Sequence, residues 1–206
     1  MLIHLASKSP RRKEILKKLK IPFRVIDSSY HERMIRGVSP EKLVLQHAAG
    51  KVRGAKYPKK ARFILGADTL VAYQGKGLGK PRSLQEAVRM LRLLSGKSHY
   101  VYTGIALLDL KIRRQYIGFS KTKVVFRKLT DEFIKKYFSQ VNPLDKAGAY
   151  AIQEGSRIVR RFEGSRTNVI GLPVELLKEM MAVIADSGRV LEPEAGSKIL
   201  TVEMCS

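Results

Sequence analysis

The sequence predicts a mixed α/β fold built on a partly antiparallel sheet. Strand-like and helical patterns alternate irregularly along the 206 residues, unlike the regular alternation of a doubly wound parallel sheet. With 44% apolar residues, 16 glycines and 8 prolines, the chain can bury a sizeable core. We find no internal repeat or long linker. We therefore expect one domain over residues 1–188 and a loosely docked tail at 189–206.

The first part of the chain shows short strands that alternate with helices opened by serine and proline. Such pairs start helices because the hydroxyl can accept from a free N–H and proline fits the first helical position. The predicted elements, in order, are a strand at 2–7, a helix started by Ser9 and Pro10, a strand at 23–29, a helix at about 40–56 started by Ser39 and Pro40, and a long apolar strand at 63–73.

The second part is richer in turns and predicts paired antiparallel strands. A short polar link between two long strand patterns is typical of a hairpin. The predicted elements are a glycine-marked hairpin at 75–79, a helix with a Ser83–Glu86 capping box that ends at Ser95-Gly96, strands at 100–110 and 115–127, a helix at 131–140 capped by Thr130, a strand at 149–153, a strand pair at 156–166, and a helix from Pro173 to Gly188.

The chain is strongly basic, with 40 Lys and Arg against 18 Asp and Glu and a formal charge of +22. Such a charge attracts any polyanion, from nucleic acid to a small phosphorylated substrate. A nucleic-acid-binding module would also need stacking aromatics or a recognition motif. Aromatic residues are only 7% of this chain, Trp is absent, and no zinc-finger or RNP-like pattern occurs. The sequence therefore does not favour nucleic acid as a specific partner.

The cysteine content and the hydropathy pattern indicate the cellular compartment in which the protein is expected. The single cysteine, Cys205, cannot form an internal disulfide or a cysteine-rich metal cage, which is typical of a reducing environment. No apolar run approaches the roughly 18 residues that span a bilayer. We expect a soluble, cytoplasmic protein with no membrane partner.

An unusual helix start suggests an anion site. Helix N-termini normally carry acidic residues, because the backbone there is already partly positive. Here Arg11 and Arg12 follow Pro10, and Ser7 lies close by. These groups and the free N–H groups can converge on phosphate oxygens. Alternatively, the basic side chains are simply solvated.

Charged residues elsewhere suggest metal-assisted phosphate chemistry. Asp68 interrupts the most apolar strand and, if buried, needs a cation, a metal ion or strong donors. It could hold a divalent ion or accept a proton from water, or it could be a structural ion-pair partner. Glu32, Lys51 and Lys80 would complete such a site, the acids holding the cation and the lysines neutralising phosphate charge. Each of them alone could equally be a surface residue.

Several long motifs in a fixed order resemble the Maf family of nucleoside triphosphate pyrophosphatases. They are LASKSPRRKEIL at 5–16, Glu32, the helix with Lys51, GADT at 66–69, GKPRSLQEAVRMLRLLSGKSH at 79–99, Thr103-Gly104, LDKAGAYAIQ at 144–153 and NVIGLP at 168–173. The resemblance implies a long central sheet flanked by helices, with two lobes around a deep cleft. It also implies a homodimer, since members of the family are frequently homodimers.

The resemblance further implies the reaction and the roles of residues. A nucleoside triphosphate would be hydrolysed between its α and β phosphates, giving the monophosphate and pyrophosphate, with Mg²⁺ or Mn²⁺ as cofactor. Asp68 would activate water, and Glu32 and Asp68 would form the metal side of the site. The phosphates would be engaged by Ser7, Arg11, Arg12, Lys51 and Lys80. Arg11, Thr69 and Gln153 correspond to positions linked with base selection.

The AGAYAIQ segment is similar to the branch of the family that acts on dTTP and UTP. A glutamine amide both donates and accepts, so Gln153 could match the edge of a pyrimidine, including a modified one. The resemblance suggests a role in clearing noncanonical nucleotides. The alternatives are the branch that acts on 7-methyl-GTP, a basic nucleic-acid-binding protein, and a regulator of cell division, as the family's older name suggests.

The chain departs from the family pattern at identifiable points. His31 precedes Glu32 where many relatives carry a second acid, and Glu154 follows Gln153 where glycine is common. The metal would then have fewer carboxylate ligands, and the base pocket would be reshaped. The charge of +22 is also high for such an enzyme, and the tail lies outside the resemblance.

Overall fold

One mixed sheet of eight strands organises the computed structural model, which describes residues 1–33, 35, 37–152, 157–186 and 199–203. The order across the sheet is β2-β1-β3-β5-β6-β7, with β4 on β3 and β8 on β6. The strands are β1 (Ile3–Leu5), β2 (Phe23–Val25), β3 (Phe63–Tyr73), β4 (Lys76–Leu78), β5 (Ser98–Asp109), β6 (Arg114–Phe126), β7 (Val159–Glu163) and β8 (Ile199–Glu203). β1 runs parallel to β2 and β3, and the other pairs are antiparallel. This confirms the predicted mixed, partly antiparallel sheet.

Six α-helices pack on this sheet within the described ranges. They are α1 (Pro10–Lys18), α2 (Pro40–Arg53), α3 (Leu84–Leu94), α4 (Asp131–Gln140), α5 (Arg166–Ile170) and α6 (Val174–Asp186). None of these helices is long and apolar enough to cross a membrane.

Serine and threonine caps begin three helices as the sequence predicted. The side chains of Ser39, Ser83 and Thr130 each accept a hydrogen bond from the backbone N–H three residues on. Two details differ from the prediction. Ser9 makes no side-chain cap, and its backbone N–H donates to the Ser7 hydroxyl. Glu86 does not complete the predicted capping box, since its carboxylate accepts from the backbone N–H of Arg82.

The long strands separate two faces of the sheet, and each face has its own core. On one face of β3, Phe63, Leu65 and Ala67 pack with α1 and α6, whereas Val71 packs with α3 and α4 near the other end of the strand. On the opposite face, Ile64 and Leu70 lie under α2. Because side chains alternate along a strand, consecutive residues of β3 face different helices. Two core clusters therefore lie on one face, near opposite ends of β3.

Two glycines allow α2 to lie unusually close to the sheet. A Cβ on Gly66 would come within 2.4 Å of the Ala48 carbonyl oxygen, and one on Gly104 within 2.5 Å of the Val44 carbonyl oxygen. A side chain at either position would push the helix backbone away. The contact brings the C-terminal half of α2 next to the centre of β3, where Asp68 lies.

Three segments differ from the sequence-based expectation. The predicted strand at 149–153 is wrong over residues 149–152, because a short 3₁₀ turn at Ala147–Ala149 leads into an irregular segment. The predicted strand pair at 156–166 is instead one strand, β7, followed by α5, which was not predicted. Residues 199–203 form strand β8 on β6 rather than a loosely docked segment.

Candidate active site

A cleft of about 580 Å³ opens at the edge of β3 where β1 ends. β1 pairs with β3 only at residues 63–65, and β4 pairs with it only at 71–73. Within the described part of the chain, residues 66–70 of that edge pair with no strand. Side chains from both faces of β3 therefore reach the same opening, and the N-terminus of α1 borders it.

A buried carboxylate and a buried ammonium group lie together at one side of this cleft. The Nζ atom of Lys51, on α2, donates to Asp68 Oδ1 at 2.8 Å and to the Ala67 carbonyl oxygen at 2.8 Å. It also lies 2.6 Å from Glu32 Oε1. The three hydrogens of the ammonium group thus have three acceptors. The ammonium group of Lys51 therefore lies between Glu32 and Asp68, the two acids predicted from the sequence to hold a cation.

His47 contacts the same aspartate from behind. Its Nδ1 lies 3.3 Å from Asp68 Oδ2, and its Nε2 lies 3.1 Å from the Arg33 carbonyl oxygen. Both partners only accept, so both ring nitrogens donate when the imidazole is protonated. The hydrogen bond to Asp68 accordingly raises the pKa of His47 above its ordinary value.

The same contacts keep Asp68 ionised. Burial by itself would raise the pKa of this carboxyl group, since the charged form loses hydration. The hydrogen bond from His47 and the charge of Lys51 outweigh burial, and the pKa lies below its ordinary value. Asp68 is therefore an anion at neutral pH and can accept a proton.

Arg12 is fixed on the other side of the cleft. Its Nε donates to the Gly171 carbonyl oxygen at 2.8 Å, Nη1 to Ser7 Oγ at 2.9 Å, and Nη2 to Thr69 Oγ1 at 3.1 Å. A guanidinium group has five N–H donors, so one on each terminal nitrogen remains for an anion. Burial lowers the pKa of Arg12 from its usual value, but the group stays charged at neutral pH. The guanidinium group is therefore held in a fixed orientation with donors available for an anion.

A chain of hydroxyl groups supports Arg12 from the sheet. Thr69 Oγ1 lies 3.0 Å from Thr103 Oγ1, and Thr103 donates to the Asn168 carbonyl oxygen at 2.8 Å. The Asn168 amide in turn donates to the Val101 carbonyl and to Thr122 Oγ1. These buried contacts limit the positions that Thr69 and Arg12 can take.

The remaining lining of the cleft is largely apolar. Its residues come from β3 and β5, from the 3₁₀ turn and the segment after it, and from α5: Val71, Val101, Ala147, Tyr150, Ala151, Ile152, Val169 and Ile170. Two hydrogen bonds hold that segment in place. The Tyr150 hydroxyl lies 2.7 Å from His99 Nε2, and the Tyr137 hydroxyl bonds both the N–H and the carbonyl of Ala151. The cleft therefore joins a charged part to an apolar part, as a nucleotide requires.

The structure brings almost all of the sequence-predicted site residues to this one cleft. Those that line it are Ser7, Arg11, Arg12, Glu32, Lys51, Asp68, Thr69 and Lys80. Arg11 lies 3.7 Å from Asp145, and Lys80 is exposed on the rim. Gln153 and Glu154 lie outside the described residues. The roles predicted for these side chains remain predictions.

Asp68 and two neighbouring side chains could hold a metal ion. One ligand atom from each of Glu32, His47 and Asp68 lies within 4.8 Å of the others. Two carboxylates suit Mg²⁺ or Mn²⁺, and the imidazole is a ligand that Mn²⁺ also accepts. The donor set therefore fits a divalent cation on the Glu32 and Asp68 side. His31 is exposed and does not belong to this group.

Sequence reasoning missed His47 and the support of Arg12 by Thr103. His47 lies four residues before Lys51 on α2, so both side chains leave the same face of the helix. That spacing was a readable signal, given that Lys51 was already a candidate. Thr103 belongs to one of the motifs quoted above, but its contact with Thr69 could not be predicted, because it depends on the register of β3 and β5.

Comparisons with known proteins agree with the motifs. The family described as Maf-like protein matches residues 2–184. A dTTP/UTP pyrophosphatase of Geobacter sp. (strain M21) is 44% identical over 187 residues, which are 90% of this chain and 97% of the relative. Another from Carboxydothermus hydrogenoformans is 46% identical over 178 residues, covering 86% and 95%. A third, from Caldanaerobacter subterraneus, is 42% identical over 183 residues, covering 88% of each chain.

Proposed function

The chain belongs to the Maf family, and on that premise we propose that it hydrolyses dTTP and UTP to the monophosphate and pyrophosphate. Relatives of 42–46% identity over most of their length carry that name. One observation in this chain supports the proposal most. The buried, ionised Asp68 lines the same cleft as the preorganised guanidinium of Arg12.

The charged part of the cleft suits a polyphosphate tail. Six basic side chains line it, Lys8, Arg11, Arg12, Lys51, Lys80 and Lys146, against the three acids Glu32, Asp68 and Asp145. Arg12 offers two free N–H groups in a fixed orientation, and the N-terminus of α1 adds backbone donors. Charge that develops on phosphoryl oxygens during cleavage is stabilised by such fixed donors.

Asp68 is the proposed proton acceptor. Its Oδ1 faces Lys51 and its Oδ2 faces His47, so the carboxylate has a fixed orientation. An attacking water needs such a base within hydrogen-bond reach. We assign Glu32 and Asp68 as the residues that would hold a divalent cation. When bound, the cation would neutralise phosphate charge and make a nearby water more acidic.

The apolar part of the cleft suits the base and sugar. Tyr150 and Ile152 border it, and the Tyr137 and His99 contacts fix this segment. Gln153 follows directly, and by the family resemblance we assign it, with Arg11 and Thr69, to base selection. Modified pyrimidine nucleotides are included in the proposed substrates, because an amide and backbone groups read only part of the base edge.

We also keep a homodimer and a cytoplasmic location as predictions. The lone Cys205 favours a reducing compartment. Size-exclusion chromatography with light scattering tests the oligomeric state directly.

A nucleotide panel tests the proposed reaction. Purified protein is assayed with canonical triphosphates, modified pyrimidine triphosphates and 7-methyl-GTP, with and without Mg²⁺ or Mn²⁺, for pyrophosphate and monophosphate. We expect dTTP and UTP to have the highest kcat/KM and metal-free samples to be inactive. Asp68→Asn serves as the inactive control.

Two outcomes would contradict the proposal. Release of orthophosphate would mean that a different bond is cleaved. A preference for 7-methyl-GTP would assign the chain to the other branch of the family.

Septum formation in cells that carry only Asp68→Asn separates catalysis from a regulatory role, since a purely regulatory protein tolerates this change.

A further inference from the structure

The ammonium group of Lys51 occupies the space between the two carboxylates proposed to hold the metal. It contacts Glu32 Oε1 at 2.6 Å and Asp68 Oδ1 at 2.8 Å. Asp68 Oδ2 is engaged by His47. Of the four carboxylate oxygens, only Glu32 Oε2 makes no ion pair or hydrogen bond with the described residues. A divalent cation that binds both acids would have to compete with Lys51 for them.

The surrounding charge also opposes a free cation. Basic side chains outnumber acidic ones six to three around the cleft. The imidazole of His47 also occupies Asp68 from behind, with 3.3 Å between Nδ1 and Oδ2. A bare divalent ion is repelled by such a field, whereas a metal–triphosphate complex with net negative charge is attracted.

We propose that Lys51 is the resident cation of the free site and that the divalent ion enters only together with the triphosphate. This inference rests on the proposed function. In the free protein Lys51 keeps Glu32 and Asp68 paired and closes the site to Mg²⁺ or Mn²⁺. The triphosphate supplies the oxygens and the negative charge that the cation lacks in the free cleft.

Binding of Mn²⁺ to the free protein tests this order without any assay of activity. The signal of unbound Mn²⁺ in electron paramagnetic resonance gives its Kd. For the wild type we expect a Kd above about 1 mM, and for Lys51→Met at least about tenfold tighter binding, because the two carboxylates become available. The double variant Lys51→Met/Glu32→Gln should lose the gain.

The variant Lys80→Met distinguishes competition by Lys51 for the two carboxylates from the effect of the overall positive charge of the cleft. Lys80→Met removes one positive charge from the cleft rim but leaves the carboxylates paired with Lys51, so it should bind Mn²⁺ nearly as weakly as the wild type. Lys51→Gln repeats the test with a polar side chain. The proposal is wrong if the wild type binds Mn²⁺ below about 0.1 mM and Glu32→Gln abolishes that binding.

A nonhydrolysable UTP analogue distinguishes this inference from the proposed function. With the analogue present, wild-type protein should take up Mn²⁺ at least about tenfold more tightly than without it. Equal Mn²⁺ affinity with bound analogue and without it would contradict the proposed order of entry. If the analogue does not bind with or without metal, the proposed function itself fails, while the Lys51→Met comparison still decides whether Lys51 competes for the carboxylates.

Discussion

The imidazole of His47 lies directly behind the carboxylate of Asp68, with 3.3 Å between Nδ1 and Oδ2. His47 is not among the residues that line the cleft, and it contacts Asp68 rather than the open space. The contact leaves Oδ1 on the side of Lys51. The orientation of the proposed base therefore depends on a residue of the helix behind it.

Removing this support should slow the reaction more than it weakens substrate binding. We expect His47→Leu to lower kcat by about 10- to 100-fold with little change in KM, because Asp68 loses a fixed hydrogen bond. His47→Asn restores a donor and should recover part of the rate. Gln46→Leu, at an exposed position of the same helix, is the control. An equal loss in His47→Asn and His47→Leu would argue against positioning.

Asp68→Asn removes the proposed base itself. The expected loss of kcat is roughly 100- to 10,000-fold, since an amide cannot accept the proton. Pyrophosphate release measures the rate, and thermal unfolding checks that the fold persists. Asp131→Asn, which breaks an exposed ion pair with Arg92, should leave the rate unchanged. Near-normal turnover in Asp68→Asn would exclude it as the base.

Arg12→Ala should mainly weaken binding of the triphosphate. Loss of the two free N–H groups is expected to raise KM by about 10- to 100-fold. The variant also leaves the Gly171 carbonyl, Ser7 and Thr69 without their partner, so a lower melting temperature is expected. Lys17→Ala, on the exposed surface of the same helix, is the control. An unchanged KM would remove Arg12 from the phosphate site.

Gln153→Ala tests base selection apart from catalysis. We expect the ratio of kcat/KM between UTP and the other triphosphates to fall by about tenfold, with a smaller loss of the best rate, because one amide hydrogen-bonding group is lost. The nucleotide panel measures the ratio. An unaltered ratio would place base selection elsewhere in the cleft.

His99 should make the protein less stable in mild acid. Burial lowers the pKa of His99 from 6.5 to about 4. His99 is therefore protonated below about pH 6.5 in the unfolded chain but only below about pH 4 in the folded chain. The stability contributed by the neutral ring is complete above pH 6.5 and falls by about 3 kcal/mol as the pH drops to 4.

Urea unfolding at several pH values measures this loss. His99→Gln keeps a polar group beside Tyr150 and cannot titrate, so its free energy of unfolding should fall less steeply between pH 6.5 and 4 than that of the wild type. The exposed His31 provides the comparison, and His31→Gln should follow the wild type. Parallel curves for wild type and His99→Gln would contradict the assignment.

Local signals in the sequence predicted most of the fold. The apolar run of β3 and the serine–proline start of α2 correctly predicted a strand and a helix, because each signal depends on neighbouring residues alone. The segment 149–152, part of the strand predicted at 149–153, is not a strand. Its actual path depends on Gly148 in a left-handed turn and on the Tyr137 hydroxyl, which comes from a separate helix.

The site was predicted in its composition but not in its internal contacts. Glu32, Lys51 and Asp68 were grouped by chemistry and by family resemblance. In the structure the carboxylates of Glu32 and Asp68 both contact the ammonium group of Lys51. The distance between Lys51 and Asp68 depends on how closely α2 packs on Gly66 and Gly104. Such packing is a tertiary property that spacing along the chain does not encode.

The position of β8 has a consequence for how the protein is made in a cell. β8 covers the outer edge of β6 at residues 114–118, yet it lies about 80 residues further along the chain. During synthesis that edge leaves the ribosome well before its cover and exposes free N–H and carbonyl groups to other nascent chains. Crowded overexpression should therefore favour intermolecular strand pairing at this edge, which a lower level of expression would suppress.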